Sequence, residues 1–161
     1  MSRMLAKVDL WIATGLGLGY SPVVSGTVGS LGGIVLFWFL HPLPWPLYLV
    51  TVVALFFLGL WAAGRAESIF QEKDSGFIVI DEIVGFLISA FLLPWSWGWM
   101  TAAFLVFRIF DILKPFPWRR AENLPGGLGV MLDDVGVAIY ANLLLHAVRI
   151  WLWPQICFLK F

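Results

Sequence analysis

The sequence predicts an all-α fold, a polytopic membrane bundle of about four to five short transmembrane segments with an N-terminal helix lying in the interface. Three observations predict it. First, 61% of the 161 residues are hydrophobic and only 12% are charged, against about 25% charged in soluble domains. With a mean hydropathy of +0.92, a soluble core of this size cannot hide the apolar surface, and a bilayer becomes the expected solvent. Second, the apolar residues fall into runs divided by proline, glycine and short charged stretches. Third, the charged stretches fall on one side when the runs are laid antiparallel.

The elements follow in order. Arg3 and Lys7 precede Leu10-Trp-Ile-Ala, as at the start of a signal peptide. Thr14, Gly15, Gly17 and Gly19 then break the run without a small-x-small cleavage site, so a retained interfacial helix is expected. Five apolar segments come next, at about 26–40, 46–63, 83–93, 97–113 and 135–153. Most fall short of the ~20 residues that cross a bilayer straight, which implies borrowed flanking residues, a thinned bilayer or a re-entrant pair. The uncharged break Leu93-Pro-Trp-Ser-Trp-Gly98 is either a hairpin at the far surface or a kink at depth.

Charge orients the bundle. With the N-terminus cytoplasmic, residues 1–25, 64–82 and 108–134 share one side and carry eight of the ten basic residues, all but Arg149 and Lys160. That is a positive-inside bias. All ten acidic residues share that side, while the other is rich in tryptophan: Trp38, Trp45, Trp95, Trp97, Trp99, Trp151 and Trp153. Those read as an aromatic belt, with Arg149 snorkelling toward it. A formal net charge of zero argues against a nucleic-acid partner. The single cysteine, Cys157, excludes an intrachain disulfide and an all-cysteine metal site. His41 and His146 lie away from the acids and read as structural.

Four polar groups far apart in sequence therefore meet at one membrane face. Asp81-Glu82 opens the third apolar segment. One acid would suffice as a helix cap; two adjacent carboxylates among apolar residues are costly without a cation. Asp133-Asp134 repeats the arrangement at the fifth segment. Four carboxylates of this kind suit Mg²⁺, a hard ion that takes oxygen ligands and bridges to phosphate. Arg108, Asp111 and Lys114 recur every three residues, within an arc of about 120° on a helix. They describe a salt-bridge ladder or a phosphate site, in which arginine forks onto phosphate oxygens and lysine supplies a compact charge. Pro115 and Pro117 stop that helix. Gly26-Thr-Val-Gly-Ser30, with Thr27 and Ser30, and Gly126-Gly127-Leu-Gly129 each suit an anion cradle as well as close packing or a loop.

Thr14-Gly-Leu-Gly with Gly-Thr-x-Gly-Ser, Asp74 followed by Ile-Val-Ile-Asp-Glu-Ile-Val-Gly85, and above all Phe107-Arg-Ile-Phe-Asp-Ile-Leu-Lys-Pro-Phe-Pro117 continuing to Gly126-Gly-Leu-Gly-Val-Met-Leu-Asp-Asp-Val135 resemble the phosphatidylglycerophosphatase A family. The resemblance covers roughly residues 10–145. Two departures, Ser25 where the family has proline and Gly136-Val-Ala138 where it has x-Ala-Gly, touch helix entry and packing. The resemblance implies a single integral-membrane phosphatase domain over 1–161, in the bacterial inner (cytoplasmic) membrane. The implied reaction is Mg²⁺-dependent removal of the terminal phosphate of phosphatidylglycerophosphate, giving phosphatidylglycerol, with the site on the cytoplasmic side. Under that reading Asp81, Glu82, Asp133 and Asp134 hold the metal. Thr27, Ser30, Arg108 and Lys114 bind phosphate, and Asp111 is a metal ligand, an acid/base or a nucleophile. Water attack is favoured, since neither Cys-x5-Arg nor Asp-x-Asp is present. Three rivals remain. A CDP-alcohol phosphotransferase would concentrate its aspartates in one contiguous pattern. A small transporter would place ionisable groups at mid-depth. A structural subunit would have no use for four clustered charge motifs.

Overall fold

In the computed structural model, residues 3–158 are described, with side chains over 4–151; the readings made above for Arg3, Trp153, Cys157 and Lys160 concern side chains outside that range. The described residues form six α-helices and two 3-10 turns, with no strand among them. The helices are α1 (Arg3–Ala13), α2 (Ser25–Leu40), α3 (Trp45–Phe70), α4 (Ile80–Ser89), α5 (Trp97–Leu113) and α6 (Gly127–Phe158).

Their limits have local causes. α1 ends in a turn with positive φ at Gly15, Leu16 and Gly17. A proline in the first turn of α3 has no missing donor to regret there, and Gln71 closes the helix in the left-handed conformation. Ser96 caps α5 by accepting from the Trp99 amide at 3.2 Å. Lys114 closes α5 with φ 41°, immediately before Pro115.

α4 is the axis of the molecule. It touches α2, α3, α5 and α6, and Val84, Phe86 and Leu87 are fully buried along it. Small residues on α2 allow close approach: a Cβ on Gly29 would lie 2.8 Å from Val79 Cβ, and one on Gly33 2.7 Å from Phe86 Cβ. At ten residues, α4 ends early. Polar side chains of α6 bond the last carbonyl of α4 and those of the turn that follows. Asn142 donates to the carbonyls of Ser89 and Phe91, His146 bonds the Phe91 carbonyl at 2.9 Å, and Arg149 donates to Leu92 O. Arg149 and His146 are thereby structural groups, and residues 90–96 connect α4 to α5.

α2, α4 and α6 run away from the charged end, and α3 and α5 return to it. At the opposite end Trp38, Trp45 and Trp97 are exposed and His41 stacks on Trp95 at 5.4 Å. α1 lies across the charged end of α3. There Arg65 Nε bonds the fully buried Asp9 at 2.6 Å, while Met4, Val8 and Trp11 stay exposed.

Two expectations need correction. Among the described residues two helices, Trp45–Phe70 and Gly127–Trp151, are long and apolar enough to cross a membrane, fewer than the four to five expected. α2, α4 and α5 have 16, 10 and 17 residues, so at 1.5 Å per residue they reach about 24, 15 and 26 Å, short of a ~30 Å hydrocarbon core. The last helix also starts at Gly127 rather than near Val135. Asp133 and Asp134 therefore sit about two turns inside it and are not its N-terminal caps.

Candidate active site

The first turn of α4 puts Asp81 and Glu82 at the charged end. The side chains meeting them come from three other directions: the last turn of α5, the second and third turns of α6, and the 71–79 connection. Together with the start of α2 these segments enclose a polar cavity of about 160 Å³, lined by Asp74, Asp81, Glu82, Asp111, Asp133 and Asp134 as well as by Ser25, Gly26 and Lys114. Asp81, Asp111, Asp133 and Asp134 are buried.

One carboxylate oxygen each from Glu82, Asp111 and Asp134 lies within 4.8 Å of the others. Three helices thus bring together carboxylates that could hold one metal ion. Asp111 joins this trio; Asp81 and Asp133 flank it. Asp81 Oδ1, Asp133 Oδ1 and Asp134 Oδ2 are buried without a hydrogen-bond partner, and orphaned buried carboxylate oxygens are costly unless a cation meets them.

Two cations stand against this group. Arg108 Nη1 lies 2.5 Å from Glu82 Oε2 and 2.8 Å from Asp111 Oδ2, which braces two of the three converging carboxylates. Lys114 pairs with Asp133 and, at 2.8 Å, with Glu122. Burial works against the Lys114 charge, but the hydrogen bonds to Asp133 and Glu122 outweigh it and hold its pKa above the ordinary lysine value. At the rim, loss of solvent on the cavity side raises the Asp74 pKa; Lys114 pulls it down, while Glu122, Glu67 and Asp111 add to the rise. Seven carboxylates (those six and Glu122) face two cations, so the site is short of positive charge.

The phosphate-binding expectations divide. Lys114 lines the cavity; Arg108, Thr27 and Ser30 do not. The Ser30 hydroxyl is buried and shared between Gly26 O at 2.9 Å and Glu82 Oε2 at 3.1 Å, and Thr27 is half-buried on α2. The glycine motif is a packing device: a Cβ on Gly26 would fall 2.1 Å from Glu82 Oε1. The same holds for Gly126-Gly127-Leu-Gly129, where a Cβ on Gly127 would lie 2.0 Å from Leu60 O. Gly136, one of the departures in motif, lets Trp118 lie flat on α6, its ring 1.9 Å from where a Cβ would be. Asp74, which begins the polar group that runs to Glu82, lines the cavity although the sequence reading gives it no role in the site. Asp9 was missed because a lone acid in an apolar helix carries no spacing signal.

Comparison with known proteins gives the family. A profile described as phosphatidylglycerophosphatase A matches residues 11–149. The chain is 36% identical over 137 residues to phosphatidylglycerophosphatase A of Escherichia coli K12, covering 84% of this chain and 80% of that protein. It is 40% identical over 144 residues to the protein of the same name from Haemophilus influenzae, covering 88% of each. A Bacteroides thetaiotaomicron protein provisionally named a phosphatidylinositol-3-phosphatase is 42% identical over 147 residues, covering 86% of this chain and 91% of that protein. No solved structure matches the chain. With its motifs, its convergent carboxylates and these relatives in agreement, the chain belongs to the phosphatidylglycerophosphatase A family.

Proposed function

We propose that the protein is a Mg²⁺-dependent lipid phosphatase that hydrolyses phosphatidylglycerophosphate to phosphatidylglycerol and inorganic phosphate at the cytoplasmic face of the bacterial inner membrane. The convergence of Glu82, Asp111 and Asp134 oxygens within 4.8 Å at one end of an apolar bundle carries this reading. A phosphate dianion cannot enter a cavity with surplus carboxylates unless a cation accompanies it. The donor set is all oxygen, which suits Mg²⁺ and gives no reason for zinc. Glu82, Asp111 and Asp134 would hold the ion, and the unpartnered Asp81 oxygen fits a fourth ligand or the base that takes a proton from the attacking water. When bound, the ion supplies charge neutralisation at the nonbridging oxygens and lowers the cost of the leaving alkoxide.

The chain's own groups do the rest. Lys114 faces the cavity and offers a charge to a phosphate oxygen, held in place by Asp133 and Glu122. Arg108 is a positioning group, fixing the rotamers of Glu82 and Asp111. Water attack breaks the P–O bond to the glycerol; the water's proton passes to a carboxylate and one returns to the departing oxygen.

A membrane setting is supported by the outer surface. Leu31, Val53, Phe57, Leu105, Ile109 and Leu143 are all exposed on the sides of the bundle, a larger apolar skin than water-soluble monomers carry. The short helices α2, α4 and α5 then sit in a thinned bilayer or behind the two long ones. The transporter alternative loses support because Asn142, His146 and Arg149 are spent on backbone carbonyls of Phe91 and Leu92, in the turn after α4. The name of the Bacteroides relative favours a second substrate, phosphatidylinositol 3-phosphate, with the same bond broken.

The test is phosphate release by purified protein in detergent, with each lipid, with and without Mg²⁺. Release from phosphatidylglycerophosphate that requires Mg²⁺ is the expected result. Faster release from phosphatidylinositol 3-phosphate would move the substrate to the second reading, and release in a metal chelator would remove the ion from the scheme.

A further inference from the structure

On the side of the bundle away from the carboxylates, α1, α2, α3 and α4 frame a groove of about 610 Å³, within the range of about 300–1,000 Å³ typical of ligand pockets. Every residue lining it is glycine, aliphatic or aromatic. On α2 it runs from Val28 to Phe39, eleven residue steps or about 16 Å of helix, close to half of a ~30 Å hydrocarbon core. Its floor is Ile80 and Ile83 of α4, the residues beside Asp81 and Glu82. Its far wall is Leu55 and Leu58 of α3, one of the two helices long and apolar enough to cross a membrane.

The upper end is shaped by two glycines. A Cβ on Gly32 would lie 2.6 Å from Leu18 Cδ1, and one on Gly15 would lie 2.8 Å from Ile83 Cδ1. Their absence seats the turn after α1 over the groove. Within that turn Leu16 has φ 59° and is 76% exposed. A leucine held in a strained backbone conformation with its side chain outward is unusual, and it stands at the mouth.

We propose that this groove holds one acyl chain of the diacyl lipid whose headgroup phosphate enters the carboxylate cavity. The proposal rests on the lipid-phosphatase reading and adds the place where the tail is gripped. Cavity and groove share two walls. On α2, Gly26 lines the first and Val28 the second, about 3 Å apart along the axis; on α4, Asp81 and Glu82 line the cavity while Ile80 and Ile83, on either side of them in sequence, line the groove. The terminal phosphate of phosphatidylglycerophosphate is separated from the acyl esters by a glycerol, a phosphodiester and a second glycerol. That spacer lets the phosphate sit among carboxylates while the chain drops past α2 on the other side. Recognition of one tail explains how a small site with few phosphate donors retains its substrate: apolar burial supplies affinity and leaves the polar end free to react.

The experiment uses the whole purified protein with two substrates, long-chain phosphatidylglycerophosphate and its deacylated, water-soluble headgroup. Leu31 lines the groove and is 47% exposed, so Leu31→Trp fills it without entering the core. Leu105→Trp is the control, on the exposed face of α5 and outside the groove. For Leu31→Trp, kcat/KM on the long-chain lipid relative to the headgroup is expected to fall about tenfold, the scale of a filled apolar subsite; for Leu105→Trp the ratio stays at the wild-type value. A substrate carrying a photoactivatable diazirine halfway along one chain is expected to label the α2 peptide spanning 28–39. Equal ratios in both variants, labelling spread over the outer faces of α3 and α6, or links between two copies of the chain overturn the groove assignment while leaving the phosphatase reading intact. Phosphate released from neither substrate overturns the phosphatase reading, and the substrate's tail site with it.

Discussion

Replacing Gly26 by alanine should separate activity from stability. The new Cβ would lie 2.1 Å from Glu82 Oε1 and 3.0 Å from Arg108 Nη1, where an ordinary contact is about 3.5 Å. The carboxylate must move by roughly 1 Å. It sits at the free end of a long side chain, so the fold absorbs the shift cheaply, about 1 kcal/mol or less. The cluster does not absorb it, because Glu82 is one of three carboxylates converging within 4.8 Å and is fixed there by Arg108 and Ser30. A misplacement of about 1 Å in a positioned group costs on the order of 10²-fold in rate. Gly29→Ala supplies the contrast. Its Cβ would meet Val79 Cβ at 2.8 Å and Val79 O at 3.3 Å, so the helices themselves must part, at a cost of about 1–3 kcal/mol. The assay is Mg²⁺-dependent phosphate release alongside thermal unfolding in the same detergent. Gly26→Ala should melt within about 2–4 °C of wild type while losing about 10² in kcat/KM. Activity within threefold of wild type would show that Glu82 has no exacting position to keep.

Asp134→Asn and Asp81→Asn should each abolish Mg²⁺-dependent release without lowering expression; full activity in either removes that residue from the site. Lys114→Met leaves the buried Asp133 without its partner, which should cost about 3 kcal/mol, and the double variant with Asp133→Asn should recover part of it in thermal unfolding. Arg65→Met should destabilise more than Asp9→Asn, because the first strands a fully buried carboxylate and the second leaves a partly exposed cation able to reach solvent; the reverse order would refute this pairing logic. Without metal, the protein should lose stability as pH rises from the ordinary aspartate value of 3.8 through the raised Asp74 pKa. The sign follows from the folded state binding that proton more tightly than the unfolded state. The thermal shift produced by Mg²⁺ should therefore grow with pH over the same window, and a shift independent of pH would contradict it.

Much of this was legible because charge and hydropathy are one-dimensional signals. The end of α5 at Leu113 could be placed from Pro115 and Pro117, and the gathering of Asp81, Glu82, Asp111, Asp133 and Asp134 followed from counting segments. Depth was not legible. Gly126-Gly127-Leu-Gly129 reads equally as a flexible loop or a phosphate cradle, yet from Gly127 it begins α6, since only a residue without Cβ fits against Leu60 O. Tertiary contact overrode propensity there and carried Asp133 and Asp134 into the helix. The partners of Arg108 were equally hidden. An arginine fork suits phosphate and carboxylate alike, and only the packing of α5 on α4 shows that Glu82 and Asp111 occupy it.

The length of α4 ties these points together. A central helix that crossed a bilayer would need about 20 residues; this one has ten. A short axis brings its first turn below the ends of its neighbours, so Asp81 and Glu82 are met from the side by α5 and by the third turn of α6. Carboxylates at a surface would be solvated and would repel weakly; carboxylates in this recess cannot shed their charge to water and so select for a cation. At the other end Asn142, His146 and Arg149 of α6 meet the carbonyl of Ser89, the last residue of α4, and those of Phe91 and Leu92 in the turn after it. One helix, α6, thus supplies both Asp133 and Asp134 to the recess and the polar groups that hold the end of the truncated axis. On this argument the far-end groups set the depth of the site, and Asn142→Leu should lower activity through a shifted α4 although it lies far along α6 from Asp134. Unchanged kcat/KM in that variant, with stability alone reduced, would separate the two ends.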